Sequence, residues 1–462
     1  MSGASSHSNV LPYEAAAIPP QREPWGWIEI FAAIQLLWGV LLFFPGAQPY
    51  RVIVRALPYV TSLAALLFVL RRRMDVPIPA SGKWLLAAFA LLALNLLHAE
   101  TRVAAGIAQV IFQICVAAPM FWMPGMIGSR RRLSRLLSVI FVASFFSAAI
   151  GVLQVYYPDS LLPPEFSALA RSLNPAIVDA LSYVGPDGRL IIRPPGLSDL
   201  PGGAALAGLT TVLFAVGYVS HAGNSRLVRI ASAGAAAVGM TALYLTQVRS
   251  LTVVAALGVL VYALVRLRQG RVLQVGWLVL GGAAIVAMSF MWASAIGGKT
   301  IETRFSALLG TGLFTTFQEN RGLFLNYTFS DLLFRFPFGA GLGRWGMMNV
   351  YFPDPSMWHA PAIHVEIQPT GWLLDGGFPM WIFYGGALAS AVAFAYRCAR
   401  GADDQELSYL AGVVLTFQAS VIALCLTGPV FNTQLGVLFW TVTGALYGTI
   451  HATRDSAEDD LE

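Results

Sequence analysis

Charge is scarce in this chain. Of its 462 residues only 11% are charged, where a soluble domain carries roughly 25%. A chain that is 56% apolar cannot cover a water-facing surface with so few charges. That excludes a soluble enzyme held by one anchor and makes lipid the solvent. Lysine is nearly missing, at Lys83 and Lys299 alone, which we read as codon usage. The three cysteines, Cys115, Cys398 and Cys425, are widely spaced in or beside apolar runs. They suit neither a disulfide framework nor a metal site and read as small core residues. Residues 1–24 lack a basic stretch followed by a short apolar run and a small-residue cleavage site. The pattern therefore predicts no cleaved signal peptide, with the first apolar run acting as a signal anchor. No Ser-His-Asp arrangement, zinc motif, P-loop or Asp-x-Asp pair in the outside loops stands out. The net charge of +5 comes from arginines flanking apolar runs and needs no nucleic-acid partner.

What the sequence has is long apolar runs. They fall near 26–44, 51–70, 84–99, 104–127, 134–156, 202–221, 228–247, 251–267, 273–295, 372–396, 407–427 and 434–452. Each approaches the length needed to cross about 30 Å of hydrocarbon. None keeps a period of two, so they read as helices rather than barrel strands. The expected fold class is an all-α polytopic membrane protein of about twelve transmembrane helices. Placing the N-terminus in the cytoplasm puts 17 of the 29 basic residues on that side, as the bias of cytoplasmic loops requires. Both termini are then cytoplasmic. The division is a tail over 1–25, one transmembrane domain over 26–452, and a tail over 453–462. Two long outside segments, 158–201 and 296–370, hold Arg, Asp, Glu, His and aromatic residues, and 302–335 reads as amphipathic helices on the membrane surface. The spans themselves look nearly free of ionisable groups, so the chemistry is expected at the outer face.

Three clusters there can do chemistry. Arg193-Pro-Pro-Gly precedes the sixth span, and its rigid turn would aim Arg193 at the membrane. Arg193 reads as an anion ligand or as an interfacial anchor. Arg249, in Gln247-Val-Arg249-Ser250, sits in a tight turn between two apolar spans and must snorkel or meet an anion. The second long segment contains Arg304, Arg321, the run Phe336 to Gly346, His359 and His364. Gly341 to Gly346 fits G-x-G-x-x-G, but no strand precedes it and no βαβ unit surrounds it, so a nucleotide site is excluded. Its glycines suit close backbone packing. His364 can act as a general base, with Glu366 orienting or replacing it and His359 as a rival. A hydrogen-bonded loop histidine is the plainer alternative.

Four patterns in this order resemble the O-antigen ligase and O-antigen polymerase superfamily of bacterial membrane glycosyltransferases. Arg193 to Gly203 is similar to that family's Arg-x-x-Gly-x-x-x-x-Pro stretch. Val248-Arg249-Ser250 is similar to its Ser-Arg span start. Arg321 with Phe334 to Gly343 is similar to its Arg…Pro-Leu-x-Gly-x-Gly signature. His364 ahead of Leu374-Asp-Gly-Gly-Phe378 is similar to its His-Asn…Glu-Leu-Gly block, although Val365 stands where the family has Asn.

The resemblance implies an inner-membrane enzyme with a periplasmic site. Its donor is an undecaprenyl-diphosphate-linked glycan and its acceptor a lipid or glycan hydroxyl. Arg193, Arg249 and Arg321 would bind the diphosphate, and His364 or Glu366 would deprotonate the acceptor, with inversion, no metal and no cofactor. Trp345, Tyr351, Phe352 and Trp358 could stack on sugars or anchor at the interface. Ligase and polymerase stay open. The alternative from another class is a transporter or flippase for a lipid-linked sugar or small anion, which predicts ionisable groups within spans and an internal repeat.

Overall fold

The computed structural model describes residues 26–44, 46–72, 78–162, 181–188, 190–198, 202–221, 223–352, 362–401 and 404–459. Helices follow the apolar runs. Among the described residues eight are long and apolar enough to cross a membrane: Arg51–Arg71, Arg130–Tyr156, Arg226–Thr246, Arg249–Arg268, Val272–Gly297, Gln368–Gly401, Gln405–Leu424 and Gln434–Thr453. Val103–Ala117 and Pro119–Gly125 meet the same test as a pair bent by 42°. Trp27–Phe43, Ala80–Asn95 and Ala204–Ser220 are apolar but shorter. The protein is thus an all-α polytopic membrane protein. The third run lies earlier than the expected 84–99, because Pro79 starts its helix at Ala80.

Prolines set the bends, and neighbours repair them. Pro119 cannot donate to the Cys115 carbonyl four residues back. That carbonyl instead accepts from Ser62 Oγ at 2.7 Å. Pro379 likewise frees the Asp375 carbonyl, which accepts from Asn95 Nδ2 at 2.7 Å. Such repair is what makes a proline tolerable where no water reaches. Elsewhere small residues bring backbones together. A Cβ on Gly208 would lie 2.6 Å from the Gly239 carbonyl oxygen, so the Ala204–Ser220 and Arg226–Thr246 helices pack at backbone distance, as membrane helices do.

Gln405–Leu424 lies at the centre, almost wholly buried. Val272–Gly297 lies at the outside and presents Leu273, Trp277, Leu280 and Met291 outward. The interior also holds ionisable side chains that the reading of nearly uncharged spans passed over, namely Glu29, Arg266 and Asp375.

The first long segment contains a feature the sequence did not suggest. Ser182–Val184 pairs antiparallel with Leu190–Ile192. The second contains short helices, as expected over 302–335: Lys299–Thr311, Leu313–Phe317, Leu323–Tyr327 and Leu333–Arg335. Two π turns, Gln318–Gly322 and Thr328–Leu332, interrupt them. Wide turns of this kind recur at functional sites because they re-aim side chains.

Candidate active site

Arg193 leaves the hairpin as its backbone N–H donates to the Leu181 carbonyl at 2.9 Å. The turn after it is stapled to the Arg130–Tyr156 helix. Gly196 N–H donates to Gln154 Oε1, and Gln154 Nε2 donates back to the Gly196 carbonyl, each at 2.9 Å. Gly196 has φ 64, and a Cβ there would come within 2.7 Å of the Ser147 carbonyl oxygen. Only glycine satisfies both conditions. The staple fixes the position of Arg193, whose Nε is buried without a hydrogen-bond partner among the described residues. Burial lowers the Arg193 pKa, with the nearby Tyr183 phenol acting the other way.

Arg249 is the first residue of its 20-residue helix, and no side chain caps that N-terminus. A cation there opposes the helix dipole, an arrangement that an anion relieves. Arg304 comes from Lys299–Thr311 and Arg321 from the first π turn. Burial lowers the pKa of Arg304, and the charges of Arg193 and Arg249 lower it further. Arg304 therefore sits within electrostatic reach of both Arg193 and Arg249. Burial lowers the pKa of Arg321 as well.

All four line a single cavity of about 670 Å³. No carboxylate is among its lining residues within the described chain. Below the arginines its wall is apolar, with Leu206, Val254, Leu257, Leu424 and Leu435. Leu257 lies eight residues along the helix from Arg249, or about 12 Å at 1.5 Å per residue. The cavity thus joins a cationic mouth to an apolar groove. It lies where the Ala204–Ser220, Arg249–Arg268 and Gln434–Asp459 helices begin and the Arg226–Thr246 and Gln405–Leu424 helices end. Those termini share one end of the bundle.

His364 and Glu366 stand at the same end. Gln368 N–H donates to the Cys425 carbonyl at 2.9 Å, next to the cavity-lining Leu424 and Leu426. Glu366 Oε1 is 2.5 Å from His364 Nε2, and its other oxygen pairs with Arg321. The histidine side chain is 73% exposed, so a solute can reach it. Arg321, Glu366 and His364 form a chain from the cavity wall to solvent, and a carboxylate on one ring nitrogen fixes the ring's orientation.

The glycine run is the frame of this end. Gly341 and Gly343 have φ 89 and φ 78, and a Cβ on Gly341 would lie 2.6 Å from the Glu100 carbonyl carbon. The run packs against the start of the Val103–Ala117 helix and the break at Gly377 (φ 65) in the Gln368–Gly401 helix. Asp375, wholly buried, ties the parts together. Its Oδ1 accepts from Gln109 Nε2 and from Trp345 Nε1, both at 2.6 Å. Gln109 Oε1 accepts from Gly343 N–H at 2.8 Å. The Arg344 carbonyl then accepts from Ile363 N–H at 2.9 Å, one residue before the catalytic candidate His364.

The structure thus brings Arg193, Arg249 and Arg321 to one cavity, with His364 and Glu366 beside it. His359 and Trp358 lie outside the described residues. Trp345 is corrected: it is 3% exposed and hydrogen-bonded to Asp375, so it is neither a sugar platform nor an interface anchor. Tyr351 receives a hydrogen bond from Arg55 at 3.4 Å. Sequence reasoning named Arg304 without giving it a role, because an amphipathic helix carries charges for many reasons. It quoted Asp375 within a family-like stretch without giving it a role, although an acid inside an apolar run is itself a signal. Among the described residues no group of three or more His, Cys, Asp or Glu side chains is placed to hold a metal ion. No family model matches the chain, and no curated protein matches it.

Proposed function

We propose that the protein is a bacterial inner-membrane glycosyltransferase of the O-antigen ligase or polymerase type. It would move an oligo- or polysaccharide from undecaprenyl diphosphate to a hydroxyl on a lipid or glycan acceptor. In this reading all twelve apolar segments cross the bilayer, the termini are cytoplasmic, and the cavity faces the periplasm. The observation that carries it is the cavity itself: four arginines from four separated segments above an apolar groove. A lipid diphosphate has that shape and charge. Arginine suits it because the guanidinium stays charged and binds phosphate oxygens in pairs.

The chemistry follows from the charges. His364, oriented by Glu366, takes the proton of the acceptor hydroxyl. The oxygen attacks the anomeric carbon from the face opposite the diphosphate. The anomeric carbon–oxygen bond breaks, and its electron pair stays on the diphosphate. Arg193, Arg249, Arg304 and Arg321 stabilise that growing charge, which is often a large part of catalysis. General-base assistance adds about 10²–10⁴-fold. The glycan is inverted and the spent carrier leaves through the groove.

The test is transfer by purified protein in nanodiscs, supplied with a lipid-diphosphate oligosaccharide and an acceptor. Arg249→Ala should lower product formation by about 10³-fold or more while the protein stays folded, and Arg249→Lys should recover little. Near-normal transfer by Arg249→Ala would sink the reading. Movement of the intact lipid-linked sugar across vesicles, with no product, would favour a flippase. One added block marks a ligase and a ladder of products marks a polymerase.

A further inference from the structure

Gln247 is the part of the cavity that the arginine reading leaves unused. It terminates the Arg226–Thr246 helix with φ 55 and ψ 25. Among the described residues no other non-glycine has positive φ. Glycine or asparagine is usual in that place, because a Cβ in the left-handed region crowds the following carbonyl oxygen. The residue is 1% exposed, yet it lines the cavity beside Arg249. Neither Nε2 nor Oε1 has a hydrogen-bond partner among the described residues. A strained residue with unanswered amide atoms beside a pocket is one that a ligand can satisfy where the fold does not, once the side chain turns toward the cavity.

The two ends of an amide ask for different things. Nε2 only donates and Oε1 only accepts. An ionised diphosphate offers acceptors alone, so it answers Nε2 and leaves Oε1 orphaned. A ligand that answers both carries a hydroxyl or amide N–H close to the diphosphate. The sugar joined to that diphosphate is such a group. Resting on the glycosyl-transfer reading above, we infer that Gln247 distinguishes the loaded carrier from the spent one. Nε2 donates to a diphosphate oxygen, and Oε1 accepts from a hydroxyl or N-acyl N–H of the first sugar. Once the sugar is transferred, Oε1 is orphaned again, and the stripped carrier is held less tightly. The same amide then serves selection and product release.

The experiment is binding of two probes to the protein in nanodiscs, undecaprenyl diphosphate and undecaprenyl diphosphate N-acetylglucosamine. Wild-type protein should prefer the sugar-bearing probe by about tenfold or more, the size expected for one buried hydrogen bond. Gln247→Leu should bind the two within about threefold of each other. Gln247→Gly, which relieves the positive φ, should show the same loss of preference and covers a folding failure of the leucine variant. Gln247→Glu should bind both more weakly yet keep the preference, because it retains an acceptor and adds a repelling charge. Equal binding of the probes by wild type, or a preference surviving in Gln247→Leu or Gln247→Gly, would overturn the inference. Arg249→Ala separates the two levels. If it loses both probes, the diphosphate reading stands whatever Gln247 does; if it binds both as wild type does, that reading fails.

Discussion

Arginines at the two ends of the bundle keep different company. At the end away from the cavity their charge is used inside the fold. Arg130 pairs with Asp404, Arg135 lies 3.4 Å from Glu29, and Arg132 donates to the Met126 carbonyl at 3.1 Å. Buried Arg266 donates to Tyr262 Oη and Gln269 Oε1, both at 2.9 Å. At the cavity end the charges of Arg193 and Arg249 both act on Arg304, no carboxylate stands among the cavity's described lining residues, and Arg321 pairs with Glu366. Like charges gathered at a cavity with no carboxylate among its described lining residues weaken the empty protein. Natural sequences tolerate such a conflict at functional sites. An arginine near a membrane span is therefore no signal by itself; a group of them facing one cavity without carboxylates is.

Substitutions at three positions sharpen that contrast, after the loss expected for Arg249→Ala. Asp375→Leu should have the largest effect among them, because it orphans the Trp345 and Gln109 donors in a buried place. We expect about 2–4 kcal/mol less stability and a 10²-fold or greater drop in transfer, read by chemical unfolding and single-turnover assay. Asp375→Asn keeps an acceptor and should lose less than about tenfold. Equal losses in the two variants would show that the hydrogen bonds at Oδ1 are not what matters. Glu366→Gln comes next. It removes the group that orients His364 and releases Arg321 from its ion pair. Turnover should fall by about 10²-fold while affinity for the lipid diphosphate holds or tightens; a matching loss of affinity would place Glu366 in binding rather than in base catalysis. Arg266→Met is the smallest, at the other end. It should cost about 1–3 kcal/mol of stability and leave transfer per folded molecule unchanged. A transfer defect like that of Arg249→Ala would erase the distinction between the ends.

Much of this was legible in the residues. Apolar runs became helices because hydropathy and length are local properties, and Pro79 alone moved the third one. The three-residue strands of the hairpin were too short to leave a pattern. Arg193 and Arg249 stood out because a permanent charge beside an apolar span needs a reason, and Arg321 through the resemblance of its segment to a family pattern. Arg304 did not, since its helix carries charge on a solvated face. Trp345 was misread, because an aromatic beside glycines in an outside segment resembles a ligand platform until its buried partner is seen.

The sequence by itself determined that lipid is the solvent, where the helices run and which arginines demand explanation, all of which depend on near neighbours in the chain. Only the tertiary structure decided that arginines more than a hundred residues apart share one cavity, that Asp375 clamps the glycine frame, and that neither amide atom of Gln247 finds a partner among the described residues. Those facts depend on which helix ends meet, and contact between distant segments is set by the packing of the whole bundle rather than by any one stretch of it.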